Sequence, residues 1–231
     1  MDVSGLQKLT LLDYPGRVAC TIFTGGCDLR CPFCHNASLA LPERERDVIG
    51  HDELITFLKK RVGILDGVAV TGGEPLLHAG IEGLLSEVKA LGYAVKLDTN
   101  GTFPERLRRI VEQGLVDRVA MDIKAAPENY ARVTGVPGLD LGPVRESAAY
   151  LMGCGVDCEF RTTAVKGLHT QDDFEGIAEW IAGAREYYIQ CFKDSGDLIA
   201  AQGLEAFTEA EMQRLADIVR PKVPSVQLRG I

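Results

Sequence analysis

The stretch VACTIFTGGCDLRCPFCHN, Val18 to Asn36, sets a strand directly against a cluster of thiols. Val18 to Thr24 is apolar and β-branched, reads as a buried strand, and ends at Gly25-Gly26. Cys27, Cys31 and Cys34 follow at once with Cys-x3-Cys-x2-Cys spacing, and His35 comes after them. A strand that stops at paired glycines and delivers polar chemistry is a unit whose recurrence can be sought in the rest of the chain.

It recurs. Leu54, Ile55, Leu58 and Val62 give the stripe of an amphipathic helix, and Val68 to Thr71 make a second strand, broken by Gly72-Gly73. Ile81, Leu84, Leu85 and Val88 mark a helix closed by Gly92, and Ala94 to Leu97 a third strand. Pro104 opens a helix carrying Leu107, Ile110 and Val111, and Arg118 to Ile123 form strand four. A Pro- and Gly-rich loop runs from Ala125 to Pro143, before a weaker helix around Val144, Ala148 and Leu151. Cys158 to Val165 is strand five, Phe174, Ile177, Ala178 and Ile181 a helix, and Tyr187 to Phe192 strand six. Thr208 with Glu211 predicts a capping box on a last helix, and Val226 to Leu228 a short final strand.

Six strands, each followed by a helical pattern, predict an α/β fold with a parallel sheet that right-handed crossovers roll into a partial (β/α)6 TIM-like barrel. An open doubly wound sheet would show the same alternation. No composition break or long linker divides the chain, so residues 1–231 read as a single domain.

Composition narrows the function. The 46% hydrophobic and 25% charged fractions belong to a globular chain. The net charge of -8 argues against sequence-independent nucleic-acid binding, which needs clustered Lys and Arg. No apolar run approaches the about 18 residues of a membrane span, and Met1 to Ser4 does not open like a signal peptide, so the cytoplasm is expected. Seven cysteines without an export signal point to metal binding or catalysis, not to a disulfide framework.

Polar residues collect at the carboxyl ends of the strands: the cysteines after strand one, Gly72-Gly73-Glu74-Pro75 after strand two, Asp98-Thr99-Asn100-Gly101 after strand three, and Asp122 and Lys124 at strand four. Arg161 to Thr163 lie in strand five, and Gln190 to Lys193 end strand six. In a parallel β/α barrel these ends share the face where active sites are built.

Thiolates select zinc, copper(I) or iron–sulfur clusters. A zinc site needs a fourth ligand, and His35 adjoins Cys34 too closely for both side chains to reach one tetrahedral ion readily. The spacing also matches neither common ferredoxin pattern, each of which supplies a fourth cysteine. Three thiolates would hold a cubane with one iron open to an external ligand.

CDLRCPFC resembles the cluster motif of the radical S-adenosylmethionine enzymes, and GGEP one βα unit later strengthens the likeness. Within that superfamily, the opening from Ser4 to Asn36 resembles the activating proteins of glycyl-radical enzymes, those of the anaerobic ribonucleoside-triphosphate reductases above all. The likeness extends to about Val219, with its specific motifs before Lys124.

The resemblance implies that Cys27, Cys31 and Cys34 ligate a 4Fe-4S cluster whose open iron chelates S-adenosyl-L-methionine, which is cleaved reductively to a deoxyadenosyl radical. It implies that Phe33 lies against the adenine, that Gly73 and Glu74 serve the methionine amino end beside Gly72, and that Pro75 fixes the chain entering the next helix. Asp98, Thr99 and Asp122 match positions that hold a monovalent cation, Na+ or K+, in formate-lyase activating enzymes. Lys124 matches a lysine facing the methionine carboxylate, and Arg161 a cofactor-side arginine. At Gln190 to Lys193 the chain departs from the Tyr-His pattern of formate-lyase activases. The implied partners are a glycyl-radical enzyme and a low-potential electron donor such as flavodoxin or ferredoxin.

Cys20, Cys154, Cys158 and Cys191 lack a Cys-x2-Cys pairing and read as small buried hydrophobes. His51, His78 and His169 read as surface or capping residues. The favoured function is removal of a hydrogen atom from one glycine of the reductase. The alternatives are activation of another such enzyme, such as pyruvate formate-lyase, or small-molecule chemistry such as that of a 7-carboxy-7-deazaguanine synthase. A plain electron-transfer or zinc module is the remaining class.

Overall fold

A computed structural model describes residues 1–41, 48–194 and 196–231. The chain falls into two compact units interleaved along the sequence. The first takes Met1–Asp28, Ser38–Thr99 and Phe103–Val119, and the second Leu29–Ala37, Asn100–Thr102 and Ala120–Ile231.

In the first unit, β1 (Gly5–Thr10) pairs antiparallel with β2 (Ala19–Thr24). After the short helix α1 (Ala37–Ala40) come α2 (His51–Arg61), β3 (Gly67–Gly72), α3 (Ile81–Ala90), β4 (Ala94–Thr99) and α4 (Pro104–Glu112). β2 and β3 are parallel, in register from Ala19 with Gly67 to Thr24 with Gly72, and β4 continues the ladder from Gly67 with Ala94 to Val70 with Leu97. Ile22, Val70 and Leu97 of these strands are fully buried, as are Leu54 and Leu58 of α2, Leu85 and Val88 of α3 and Ile110 of α4. Each such side chain contributes about 1.5–3 kcal/mol by leaving water.

β1 was not expected from the sequence. Gln7, Lys8 and Leu9 are all exposed, so the segment lacks the buried alternation that announces a strand. A charged lysine on an edge strand also discourages pairing with a foreign edge.

The second unit receives β5 (Arg118–Asp122) from the first and continues with α5 (Tyr130–Thr134), α6 (Gly142–Gly153), β6 (Asp157–Ala164), α7 (Gln171–Trp180), β7 (Tyr187–Cys191), α8 (Glu209–Val219) and β8 (Val226–Arg229). β6, β7 and β8 are parallel, with Phe160, Tyr187 and Val226 in one row. Phe160, Phe174, Ile177, Ile189 and Met212 fill its core. Thr208 and Glu211 form the expected capping box, and Thr170 with Asp173 forms a second on α7.

The segment Ala125 to Pro143, expected as loop, contains a 3-10 turn over Pro127–Asn129 and then α5. Pro127 opens the turn, and Gly135, at φ +68°, closes the helix in the left-handed region. A Cβ at Gly135 would stand 2.3 Å from the carbonyl oxygen of Arg30, so only glycine lets the helix end against that backbone. Thr134 O accepts the Arg30 amide at 2.8 Å.

Apart from the antiparallel β1, the paired strands within each unit are parallel, and the fold is α/β of the partial-barrel kind. The six expected parallel strands are β2 to β7, and the short final strand is present as β8. Among the described residues no helix is long and apolar enough to cross a membrane.

Candidate functional site

In the first unit the chain leaving β2 is bound to the turn leaving β3. Gly73 N donates to Thr24 O at 3.0 Å, Glu74 N to Gly26 O at 2.8 Å, and His78 Nε2 to Gly25 O at 2.7 Å. All three carbonyls before Cys27 are thereby held. The Glu74 carboxylate is fully buried, where Oε1 accepts from Leu76 N at 2.9 Å and from the Thr99 hydroxyl at 2.8 Å. Pro75 begins a 3-10 turn capped by that carboxylate. Cys27 is half-buried, with Sγ 3.9 Å from Asp28 Oδ1.

On β4, period-two alternation puts Lys96 and Asp98 on one face. The Lys96 side chain is 2% exposed and donates to Asp98 Oδ1. Asp98 thus already faces a protein cation.

In the second unit Cys31 and Phe33 are buried and Cys34 is half-buried, with Cys34 N donating to Cys31 O at 3.0 Å. Asp122 accepts from Lys124 Nζ at 2.8 Å through Oδ2 and from Arg161 Nε at 2.9 Å through Oδ1. Burial raises the Cys31 thiol to about 11, although the Lys124 ammonium acts in the opposite direction. Burial likewise raises Cys34. Both cysteines carry protons at neutral pH until a metal displaces them.

Burial works against the Asp122 charge, but the Arg161 guanidinium and the Lys124 ammonium outweigh it and hold the carboxyl well below the usual range. Burial likewise opposes the Lys124 charge, yet Asp122, then Cys31, keep the ammonium above an ordinary lysine value. A carboxyl whose folded pKa lies below its unfolded value of about 3.9 contributes stability that is complete above that value and lost as pH falls through the folded one. Asp122→Asn should therefore cost about 2 kcal/mol at about pH 7, by removing the carboxylate that Lys124 and Arg161 share, and progressively less as pH falls from about 3.9 toward the folded value. Chemical denaturation over that range checks this, and a cost that did not shrink with falling pH would contradict it.

The other four cysteines have contacts of their own. Cys20 is fully buried in β2, where burial lifts its thiol to about 12. Cys154 and Cys158 both direct Sγ to Leu151 O, at 3.8 and 3.6 Å. Cys191 Sγ lies 3.6 Å from Phe207 O.

Of the histidines expected at the surface or in caps, His169 departs: it is 5% exposed, with Nε2 2.8 Å from Lys124 O. His78 caps the turn begun by Pro75, as expected, and its ring also braces the glycines before Cys27. His35 sets its ring edge-on to Phe192, centroids 5.8 Å apart. Tyr130, which no sequence pattern singles out, is fully buried with its hydroxyl 3.3 Å from Lys124 N. A lone histidine or tyrosine outside any apolar stripe carries no periodic signal, so pattern alone could not find either.

The donor set suits the implied groups. Cys27, Cys31 and Cys34 are thiols outside any disulfide in one short segment, and Lys124 offers Cys31 the neighbouring positive charge that favours a thiolate. Among the described residues no three His, Cys, Asp or Glu side chains are grouped around a single metal ion.

Comparison with known proteins agrees with this chemistry. The model of the Radical SAM superfamily matches residues 21–181. A Methanocaldococcus jannaschii protein whose name, itself an inference, is glycyl-radical enzyme activating enzyme is 31% identical over 99% of this chain and 96% of its own length. The pyruvate formate-lyase-activating enzyme of Staphylococcus aureus is 32% identical over 57% of each chain. Among solved structures, Streptococcus suis SuiB bound to the precursor peptide SuiA superposes with a TM-score of 0.71 over 91% of this chain and 48% of that one. At 16% identity that likeness is one of fold alone. The chain belongs to the radical SAM superfamily.

Proposed function

We propose that the chain is an activating enzyme that removes a hydrogen atom from one glycine of a glycyl-radical enzyme, with the anaerobic ribonucleoside-triphosphate reductase as its target. The observation that carries the activase reading is the 31% identity, over 99% of this chain, with a relative named as such an enzyme. In this reading Cys27, Cys31 and Cys34 hold a 4Fe-4S cluster. When bound, the cluster and S-adenosylmethionine supply the one-electron chemistry that takes the hydrogen atom.

The remaining residues bind and orient. Lys124, its charge kept by Asp122, offers a compact point charge to the methionine carboxylate. Gly73 and Glu74 serve the amino end from a turn whose glycines present no side chain. Phe33 supplies an apolar ring for the adenine, and Arg161 steadies Asp122 from β6. The electron comes from a low-potential donor of the flavodoxin or ferredoxin kind, in the cytoplasm.

The choice of reductase rests on the resemblance from Ser4 to Asn36 and on the absence of Tyr-His near Phe192. The second reading, activation of pyruvate formate-lyase, is supported by the Staphylococcus aureus match. Anaerobic incubation of the reduced, cluster-loaded protein with S-adenosylmethionine and each candidate partner separates them. Electron paramagnetic resonance should then show a glycyl doublet in the reductase, with one deoxyadenosine per radical. A doublet in formate-lyase alone would move the assignment to the second reading. Deoxyadenosine in step with a modified small molecule would overturn the activase reading altogether.

A further inference from the structure

Lys124 lies just past β5. Ile123 N still makes a sheet-type bond, to Arg161 O at 2.8 Å, but the Lys124 backbone is held by side chains instead. Its amide donates to the Tyr130 hydroxyl at 3.3 Å, and its carbonyl faces His169 Nε2 at 2.8 Å. With Nζ on Asp122, every polar group of the residue is engaged.

The two clamping side chains are themselves fixed. His169 Nδ1 accepts from Val165 N at 3.1 Å, which leaves the proton on Nε2 and makes that nitrogen the donor to Lys124 O. Burial lowers the pKa of His169, so the ring is neutral at neutral pH, as this arrangement requires. Its ring stands edge-on to Phe33, centroids 6.3 Å apart, with Phe174 at 6.0 Å. The loop carrying it is tied down by Asn129, which donates to Leu168 O and to Asp173 at 2.9 Å each. Tyr130 packs on Trp180 and belongs to α5, whose Thr134 O accepts the amide of Arg30, the residue before Cys31.

We infer that Tyr130 and His169 are positioning residues that aim the Lys124 ammonium by gripping its backbone from both sides, with His169 also setting the ring of Phe33. A lysine stem is flexible, and its head can be placed repeatably only if the backbone beneath it does not rotate. This rests on the role proposed above for Lys124 toward the carboxylate of S-adenosylmethionine. A purely structural histidine would change stability without changing which part of a ligand is recognised.

The test uses His169→Phe, which keeps an aromatic ring but loses both hydrogen bonds, Tyr130→Phe, which loses only the hydroxyl, and Lys124→Met as reference. Dissociation constants for S-adenosylmethionine and its decarboxylated analogue are measured anaerobically on the cluster-loaded proteins. Amide hydrogen exchange at Lys124 is followed in the metal-free proteins. His169→Phe should weaken S-adenosylmethionine about tenfold, leave the decarboxylated analogue unchanged, and add nothing when Lys124 is already Met. Tyr130→Phe should speed exchange of the Lys124 amide. Equal weakening of both ligands by His169→Phe, or weakening that persists in full beside Lys124→Met, would overturn the inference. If Lys124→Met itself left affinity unchanged, the carboxylate role would fail. The backbone grip then stands on faster Lys124 exchange in Tyr130→Phe and His169→Phe, and falls if exchange is unaltered in both.

Discussion

Replacing any one of Cys27, Cys31 or Cys34 with Ala should abolish the four-iron cluster, bringing iron and sulfide to background after anaerobic reconstitution. Alanine at Cys20, Cys154, Cys158 or Cys191 should leave the content of the parent protein. The first three thiols lie in one loop directly after β2, and a cubane on two thiolates would have two irons without a protein ligand. The other four already have their places in the fold. Cys20 is enclosed in β2, Cys158 and Cys154 point to the Leu151 carbonyl, and Cys191 to that of Phe207. Cluster loss on changing any of these four, or retention after changing any of the three, would refute the ligand assignment. Raising pH should also speed assembly, because the protons that burial holds on Cys31 and Cys34 must leave before iron binds.

The parts of the fold legible in the sequence are those where one residue type has one physical use. Gly25-Gly26 and Gly72-Gly73 ended apolar runs, and β2 and β3 stop within a residue or two of them. Thr208 with Glu211 announced a helix start because each side chain satisfies an amide of the other's turn. The cysteine spacing needed no structure. What stayed hidden depends on tertiary partners. β1 is a strand because β2 offers it an edge, and nothing in Gln7-Lys8-Leu9 reveals that. α5 is too short for a periodic stripe and is stabilised at its end by Arg30, a residue a hundred positions earlier. Lys96 is buried because Asp98 neutralises it, against the ordinary habit of lysine. His169 and Tyr130 acquire meaning only when Lys124 is found between them.

Gly73→Ala should be a severely damaging single-methyl addition. A Cβ at this position would stand 1.8 Å from Gly26 O and 2.6 Å from Gly26 C, both backbone atoms, and 3.3 Å from Cys27 N. No rotamer change relieves such a clash. Either the β3 turn withdraws, which breaks the bonds from Gly73 N to Thr24 O and from Glu74 N to Gly26 O, or the loop bearing Cys27 is displaced. Gly72 reinforces the point, since it holds φ at +130° and a Cβ there would meet Thr24 N and O at 2.3 Å. The cost of Gly73→Ala should reach about 3 kcal/mol, which for a chain of this length lowers the midpoint of thermal unfolding by about 6–12 °C. The control is Gly83→Ala in α3, where nothing lies within 4 Å of the added methyl. That change should raise the midpoint slightly, because alanine favours the helix by about 0.5–1 kcal/mol. Measured on metal-free protein, the two variants separate the turn from the cofactors it is proposed to serve. If Gly73→Ala unfolded with the parent and took up a full cluster, the close approach of the two glycine turns would not be a requirement of the fold, and the GGEP segment would have to be read as an ordinary surface turn.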